Sequence, residues 1–179
     1  MADGVIRNKE MNLRIRLLQE EDIEPIAAAF QNIGRNKPPS QYQSYLLEQK
    51  ESSRTVLVAF NDGRFAGYLT IVWDSDYQPF RAEGIPEIQD FNVLPHVRRM
   101  GIGTRLMERA EEIIAQRSSI AGIGVGMTAD YGAAQRLYVS RGYIPDGKGL
   151  VWKNEAVKYG QQITVDDDLV LHFVKPVAA

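Results

Sequence analysis

The sequence predicts an α/β fold built on one sheet of mixed strand direction. Segments with strand periodicity alternate with segments of helical periodicity in the order β-α-α-β-β-β-α-β-α-β-β. The chain has 179 residues, of which 44% are hydrophobic, and both values suit one domain with its own core. We expect residues 1–10 to form a flexible lead and residues 11–179 to form a single domain.

The first part of the chain predicts a strand, two helices and a hairpin. Apolar and charged residues alternate in the first strand, and the acidic segment after it favours a helix start. Ser40 follows the prolines of NKPPS and predicts the cap of the second helix. Asp62-Gly63 between two apolar runs predicts a tight hairpin turn. These elements cover residues 13–18 (strand), 19–33 and 41–51 (helices), and 54–60 and 64–73 (hairpin strands).

The second part of the chain alternates strands with helices. Residues 74–86 are polar and predict a loop long enough to line a site. Pro95 ends the next strand, and an apolar stripe from Ile102 onward marks the helix that follows. The glycines of GIGVG lie inside a strand, where they indicate close packing or a bulge. The remaining elements are the strands 87–94, 120–128 and 166–175, a further strand that GYIP (142–145) leads into, and a helix at 132–141 that Gly142 caps in a left-handed conformation.

Composition excludes several classes of function. The chain contains no Cys, so disulfides, thiolate metal sites and Cys nucleophiles are excluded, and two histidines are too few for a His-rich metal site. We therefore expect no metal. A formal charge of −2 gives no general reason to expect nucleic acid or a membrane surface as partner. No apolar run approaches the ~20 residues of a membrane span, and no secretory signal is recognisable, so we expect a cytoplasmic protein.

The segment RRMGIGTR (98–105) predicts an anion site at the start of a helix. Gly101 and Gly103 stand where a capping side chain is usual, so the first-turn amides stay free. These amides carry the positive end of the helix dipole, and Arg98 and Arg99 add charge that suits phosphate oxygens. A phosphate or pyrophosphate is the best-matched ligand. The alternative is that the glycines only allow close helix–sheet packing.

Two other phosphate-binding patterns fit poorly. The P-loop requires Gly-Lys followed by Ser or Thr, which does not occur in this chain. The dinucleotide fingerprint requires a third glycine and an opening βαβ unit, and both are missing. A nucleotide binder of Rossmann type is therefore the weaker alternative.

Two motifs resemble those of the GCN5-related N-acetyltransferase (GNAT) family. RRMGIG at residues 98–103 is similar to the coenzyme A signature Q/R-x-x-G-x-G/A. AQRLYVSRGY at residues 134–143 is similar to a second family hallmark, the helix A-x-x-L-Y-x-x-x-G-F/Y. The order of elements also matches from the first predicted strand to the last. The resemblance therefore covers nearly the whole chain.

The resemblance implies a mixed, mostly antiparallel sheet, flanked by helices, whose two central parallel strands splay apart to admit acetyl-CoA. Those strands would be residues 87–94 and 120–127. Backbone groups of Phe91, Asn92 and Val93 would pair with the pantetheine arm. An amide near Val93 or Leu94 would polarise the thioester carbonyl. The remaining cofactor-binding residues would include Arg98, Arg99, Met100, Gly101, Ile102, Gly103 and Thr104.

The resemblance also implies direct attack of a primary amine on the thioester, which requires a base and an acid. Tyr138 matches the family tyrosine that protonates the departing thiolate. Glu87 stands where several members carry a catalytic glutamate, and Asp90 or water is the competing base. Strict alternation would point Asp90 away from the face of Glu87, unless a bulge intervenes. Tyr131 replaces an Asn that contacts CoA in many members, so Asp130 or the backbone would have to compensate for that Asn.

The acceptor is expected to be a small molecule rather than a protein. Carboxylates gathered on the acceptor face would attract a cationic amine, although Asp166 to Asp168 is alternatively a solvated turn. The resemblance leaves open a homodimer in which the last strands pair or swap. A non-catalytic acyl-CoA-binding sensor is the alternative function. The expected acceptor-face carboxylates are Asp74, Asp76, Glu83, Glu87 and Asp166 to Asp168, beside a candidate aromatic wall of Trp73, Tyr77, Phe80 and Trp152 that alternatively reflects ordinary packing.

Overall fold

The computed structural model describes residues 12–178, so the expected lead at residues 1–10 lies outside the described residues. Within this range, the chain forms one eight-stranded sheet with helices packed on both faces. No helix in it has the length and apolar character needed to cross a membrane. The elements are β1 (Leu13–Leu17), α1 (Ile23–Gln31), α2 (Pro39–Lys50), β2 (Arg54–Asn61), β3 (Arg64–Val72), α3 (Gln78–Glu83), β4 (Glu87–Val93), α4 (Ile102–Ala115), β5 (Ile120–Gly126), α5 (Gly132–Ser140), β6 (Ile144–Trp152), β7 (Glu155–Ala156) and β8 (Leu169–Pro176).

The strand order is β1-β2-β3-β4-β5-β8-β6-β7, and every neighbouring pair is antiparallel except β4 and β5. These two parallel strands pair only through Glu87↔Gly122 and Ile88↔Ile123. Beyond these pairs they separate, and a gap opens between their carboxyl ends. The predicted mixed sheet with two splayed central strands is confirmed.

Each face of the sheet buries a different set of helices. The stripe of α4 places Leu106, Ala110 and Ile114 against one face, and all three are fully buried, as their spacing predicts. On the other face, α1 and α2 bury Phe30 and Tyr42 against strands β2 and β3. Burying a large apolar side chain contributes roughly 1.5–3 kcal/mol, so these two layers hold the helices that border the gap.

Two local predictions were wrong. Helix α2 begins at Pro39, and Ser40 lies inside its first turn, where it makes no capping bond. Proline suits this position because its ring presets a helical φ and its missing N–H has no helical partner there. The polar segment 74–86 is also not a plain loop, because it contains the short helix α3, which Gly84 ends in a left-handed conformation (φ 64°).

A partly buried cluster of charges joins the two helices of the second half of the chain. Glu111 of α4 accepts hydrogen bonds from Arg141, just after α5 (2.8 Å), and from Lys175 of β8 (2.7 Å). Burial alone would raise the pKa of Glu111, but the bonds from Arg141 and Lys175 outweigh it, so the pKa lies below its ordinary value. The cluster fixes α5, which carries Tyr138, against α4.

A bulge in β4 turns Asp90 towards α2. Residues 90 and 91 both oppose Leu69 of β3, and Asp90 has a positive φ of 47°. The extra residue interrupts the alternation of side chains. Asp90 therefore bonds to Tyr68 on the face of β3 that also carries Val72, the partner of Glu87. The expectation that Asp90 and Glu87 lie on opposite faces was wrong for this reason.

The carboxylate of Asp90 accepts five hydrogen bonds from the segment before α2, from α2, and from β3 and β4. A carboxylate has about four lone-pair sites, so little capacity remains for another proton donor. This saturation counts against Asp90 as a catalytic base. The donors are Lys37 Nζ (2.6 Å), Gln41 Nε2 (2.8 Å), Tyr45 Oη (3.0 Å), Tyr68 Oη (2.5 Å) and Asn92 Nδ2 (2.9 Å).

Replacing Asp90 is expected to destabilise the fold. Asp90→Ala leaves Lys37 and the other donors without an acceptor, so the free energy of unfolding should fall by about 3 kcal/mol in urea titrations. Asp76→Ala is the matched control, because Asp76 is exposed and its one ion pair within residues 12–178 is with the exposed Arg81, and it should cost at most about 1 kcal/mol. Equal, small losses in both variants would contradict this interpretation of Asp90.

Candidate active site

A cavity of about 1040 Å³ lies in the gap between β4 and β5. The start of α4 and helix α5 border it on one side, and the segment between α1 and α2 borders it on the other. Two of the predicted site residues do not line it: Met100 is exposed to solvent, and Glu87 is buried behind the cavity wall. Those that do are Phe91, Asn92, Val93, Arg98, Arg99, Gly101, Ile102, Gly103, Thr104, Tyr131 and Tyr138.

The start of α4 forms a cradle of free amides at one end of the cavity. Gly101 is the N-cap with a φ of 82°, and no side chain caps the helix. A Cβ on Gly103 would come within 3.1 Å of the ring of Phe91 and 3.6 Å of Val93 Cγ2, so the glycine also lets the helix start pack closely on β4 at the cavity wall. The positive end of the helix dipole and the exposed Arg98 and Arg99 favour an anion here.

The peptide groups of Val93 point into the gap. Leu94 N–H donates to Ala66 O of β3 (2.9 Å). Along an antiparallel strand the N–H and C=O groups of successive residues point to alternate sides, so those of Leu94 and Asn92 point towards β3 and those of Val93 point towards β5. Arg98 Nε donates to Val93 O (3.1 Å), which leaves the N–H of Val93 directed at the cavity. The backbone groups of Asn92 and Leu94 were expected to contact the cofactor, and this expectation is corrected, because these groups point towards β3. Asn92 contributes its side chain to the cavity wall instead.

Tyr138 reaches the cavity from α5. Its side chain is buried against Tyr143, but its hydroxyl makes no hydrogen bond to another residue within 12–178. Burial raises the pKa of Tyr138 above its ordinary value. The phenol therefore stays protonated and can donate a proton to a group in the cavity.

Tyr131 fills the position expected for an asparagine. Its ring lies over Gly126, where a Cβ would come within 2.5 Å of Cε2, and its hydroxyl donates to Asp167 Oδ1 (3.1 Å). Burial, followed by the bond to Asp167, raises the pKa of Tyr131 to about 12. Tyr131 thus places an aromatic ring in the cavity wall, with its hydroxyl bonded to Asp167, where an asparagine would place an amide.

Glu87 is buried next to a histidine that sequence reasoning missed. Its Oε2 accepts bonds from Ser75 Oγ (2.5 Å) and Gln89 Nε2 (2.9 Å), and its Oε1 lies 3.6 Å from His172 Nε2. Burial alone would raise the pKa of Glu87, but His172, Ser75 and Gln89 together lower it below its ordinary value. Glu87 is therefore ionised at neutral pH.

His172 gave no signal in the sequence because it stands inside an apolar strand, LVLHFV. It is 4% exposed, its ring stacks on Tyr77 (centroids 3.7 Å apart), and its Nδ1 has no hydrogen-bond partner among residues 12–178. One clue is that His172 pairs with Gly124, because a glycine opposite leaves room for a large ring. That clue requires knowledge of the strand pairing.

The expected acidic acceptor face does not form as a unit. Asp74 and Asp76 are exposed and pair with Arg81, and Asp166 accepts a bond from Trp152 Nε1. Of the expected carboxylates, Asp167 lines the cavity. The candidate aromatic wall is ordinary packing, since Trp73, Tyr77, Phe80 and Trp152 do not line it either.

Comparisons with known proteins agree with this geometry. The model of the acetyltransferase (GNAT) family matches residues 20–143. An uncharacterized N-acetyltransferase from Archaeoglobus fulgidus is 33% identical over 109 residues, which are 60% of this chain and 70% of that protein. The chain therefore belongs to the GNAT family, and it is an acyltransferase.

Solved structures share the fold at low sequence identity. Ribosomal-protein-alanine N-acetyltransferase from Brucella melitensis superposes with a TM-score of 0.66 at 20% identity, over 92% of this chain and 99% of that one. The yncA protein of Salmonella typhimurium, whose structure includes its cofactor acetyl-CoA, superposes with a TM-score of 0.65 at 17% identity, over 92% and 93%.

A side chain at Gly103 is expected to weaken the cradle. Gly103→Val should raise the KM for acetyl-CoA about tenfold or more, a loss of ~1.4 kcal/mol, because the side chain blocks the amides of the first turn. Gly132→Ala is the control, since a Cβ at the start of α5 meets only Arg136 Nη1 at 4.0 Å and should leave KM unchanged. Steady-state kinetics with varied acetyl-CoA decides, and an unaltered KM in Gly103→Val would refute the assignment.

Proposed function

We propose that this protein transfers the acetyl group of acetyl-CoA to a primary amine on a small molecule. One observation carries the proposal: a single cavity joins the amide cradle of α4, the N–H of Val93 and the hydroxyl of Tyr138. An anion site, a polarising amide and a proton donor are the groups that acetyl transfer from a CoA thioester requires.

The cavity fits the donor in charge and shape. The uncapped amides after Gly101, with Arg98 and Arg99, suit the diphosphate, and the gap between β4 and β5 suits the pantetheine arm. Arg98 would have to leave the carbonyl of Val93 if that carbonyl is to pair with the arm. When bound, acetyl-CoA supplies an acetyl thioester whose carbonyl carbon is open to attack by an amine.

Two groups of the chain would act on the thioester. The N–H of Val93 would donate to the carbonyl oxygen, where negative charge develops as the new C–N bond forms. The hydroxyl of Tyr138 would donate its proton to the sulfur as the C–S bond breaks. The raised pKa of Tyr138 supports this order of events, because the phenol stays protonated until a thiolate is present.

Glu87 would receive the proton of the amine through a water molecule. A primary ammonium has a pKa near ~10 and no free electron pair, so it must lose a proton before it attacks. Gly124 lines the cavity, and a Cβ added to it would lie 3.4 Å from Glu87 Oε1. Gly124 thus separates the ionised carboxylate from the cavity, beside Val170 Cγ1 at 2.8 Å from the same position, and this supports a relay through water rather than direct contact.

Two contacts border the part of the cavity wall formed by Arg35, Asn92, Tyr131 and Asp167, to which we assign the acceptor and which we call the acceptor end. Arg35 Nη1 donates to Asn92 Oδ1 (3.3 Å) on one side, and Tyr131 is tied to Asp167 on the other. Arg35 and Tyr131 both line the cavity. This end carries both signs of charge, so a polar amine suits it better than an apolar one.

A panel assay that detects released CoA thiol tests the function. The panel covers alkyl amines, polyamines, amino sugars, amino acids and short peptides, each with acetyl-CoA. We expect at least one small primary amine to accelerate thiol release well above hydrolysis. Tight CoA binding by calorimetry with no amine-dependent release would contradict the proposal and favour a sensor.

Tyr138→Phe is expected to separate chemistry from binding. The variant should lower kcat by about 10²-fold while the Kd for CoA stays within about twofold, because only the proton donor is lost. Tyr143→Phe is a matched control, since the Tyr143 hydroxyl is buried, has no hydrogen-bond partner within 12–178 and does not line the cavity. Equal losses of affinity and turnover in Tyr138→Phe would contradict the acid role.

A further inference from the structure

A closed set of contacts surrounds the carboxylate of Glu87. The N–H of Tyr77 donates to Ser75 Oγ (3.0 Å), and that hydroxyl in turn donates to Glu87 Oε2. The ring of Tyr77 stacks on His172 at 3.7 Å with an interplanar angle of 2°. The same residue therefore fixes both neighbours of the carboxylate, one through its backbone and one through its ring.

The two carboxylate oxygens have different surroundings. Oε2 is held by Ser75 and Gln89, whereas Oε1 has His172 Nε2 as its nearest potential donor among residues 12–178. Their separation of 3.6 Å is an electrostatic contact slightly beyond hydrogen-bond length.

Oε1 is also the oxygen nearest to the cavity. A Cβ added to Gly124 would lie 3.3 Å from His172 Nε2 and 3.4 Å from Glu87 Oε1. Gly124 lines the cavity just beyond the last β4–β5 pair, on the face that also carries Asp90 and the segment before α2. Oε1 of Glu87, which faces the acceptor end, is thus also the oxygen that lies next to His172.

We propose that His172 is a positioning residue for acetyl transfer, which holds Oε1 of Glu87 towards the cavity floor at Gly124 and keeps the carboxylate ionised. This inference rests on the proposed role of Glu87 as proton acceptor. His172 does not touch the substrate, since its side chain is buried behind Gly124. It acts through Glu87.

The other residues packed around Glu87 and His172 do not take over the role of His172 beside Oε1. Tyr77, before α3, faces both members, and its hydroxyl donates to Asp146 of β6 (2.8 Å) and so points away from Glu87. Burial, followed by the bond to Asp146, raises the pKa of Tyr77, so it stays neutral. Phe80 of α3 packs edge-on against the imidazole, and Ser75 and Gln89 bind the other oxygen.

Three variants and a pH–rate profile test the proposal. His172→Phe keeps a ring to stack on Tyr77 but removes the donor, so the pKa of the buried Glu87 should rise. The acid limb of kcat/KM should then move up by ~1 pH unit, because a protonated Glu87 cannot accept the amine proton. His172→Gln restores an N–H donor and should return the limb towards that of the parent. Glu87→Gln should lower kcat/KM at pH 7 by ~10²-fold.

The outcomes separate this inference from the proposed function. The measurements use the best amine of the panel, and the KM for acetyl-CoA should not change in any variant. An unshifted limb in His172→Phe, together with a large loss in Glu87→Gln, would overturn the role of His172 alone. Full activity in Glu87→Gln would overturn the roles of both Glu87 and His172, while acetyl transfer itself would still stand. His172→Leu, which also lacks a donor, replaces His172→Phe if thermal melting shows that variant to be unfolded.

Discussion

The carboxylate of Asp90 fixes the place where β4 leaves β5. Its five donors come from the segment before α2, from α2, and from β3 and β4, so it ties α2 and the segment before it to the bulge in the strand. After Ile88 the strand no longer pairs with β5. Antiparallel pairing with β3 holds it instead, and the resulting gap exposes the N–H of Val93.

The hydrogen bonds of Asp90 also explain how this gap is stable. A separated pair of strands leaves peptide groups without partners, which is costly in a dry interior. Here the gap is a large cavity, so water or a ligand can satisfy those groups. The cost of the opening is offset on the opposite side, where the polar side chains around Asp90 are bonded.

Features that depend on neighbouring residues could be predicted from the sequence. Gly101 and Gly103 predict an uncapped helix start, and the structure has one, because the cap and the dipole belong to a single segment. Asp62-Gly63 predicts a tight turn, and both residues have positive φ. The glycines of GIGVG predict close packing in a strand, which the structure confirms.

Features that depend on distant partners could not be predicted. The face of Asp90 follows from a bulge whose partners, such as Lys37 and Tyr68, lie 53 and 22 residues away. His172 lies 85 residues from Glu87, so no local pattern connects them. Asp74 and Asp76 are counted among the acceptor-face carboxylates when residues 74–86 are predicted as a loop, because that prediction lacks helix α3 and the Arg81 that pairs with them.

The glycines of β5 link these distant parts into one site. Gly122, Gly124 and Gly126 alternate along the strand and present bare backbone on one face. Phe80 covers the first, Glu87 and His172 flank the second, and Tyr131 covers the third. The glycine pattern in this strand is therefore not a phosphate motif, because each glycine makes room for a side chain from another element. It brings the carboxylate of Glu87, the imidazole of His172 and the ring of Tyr131 against the bare backbone of one strand.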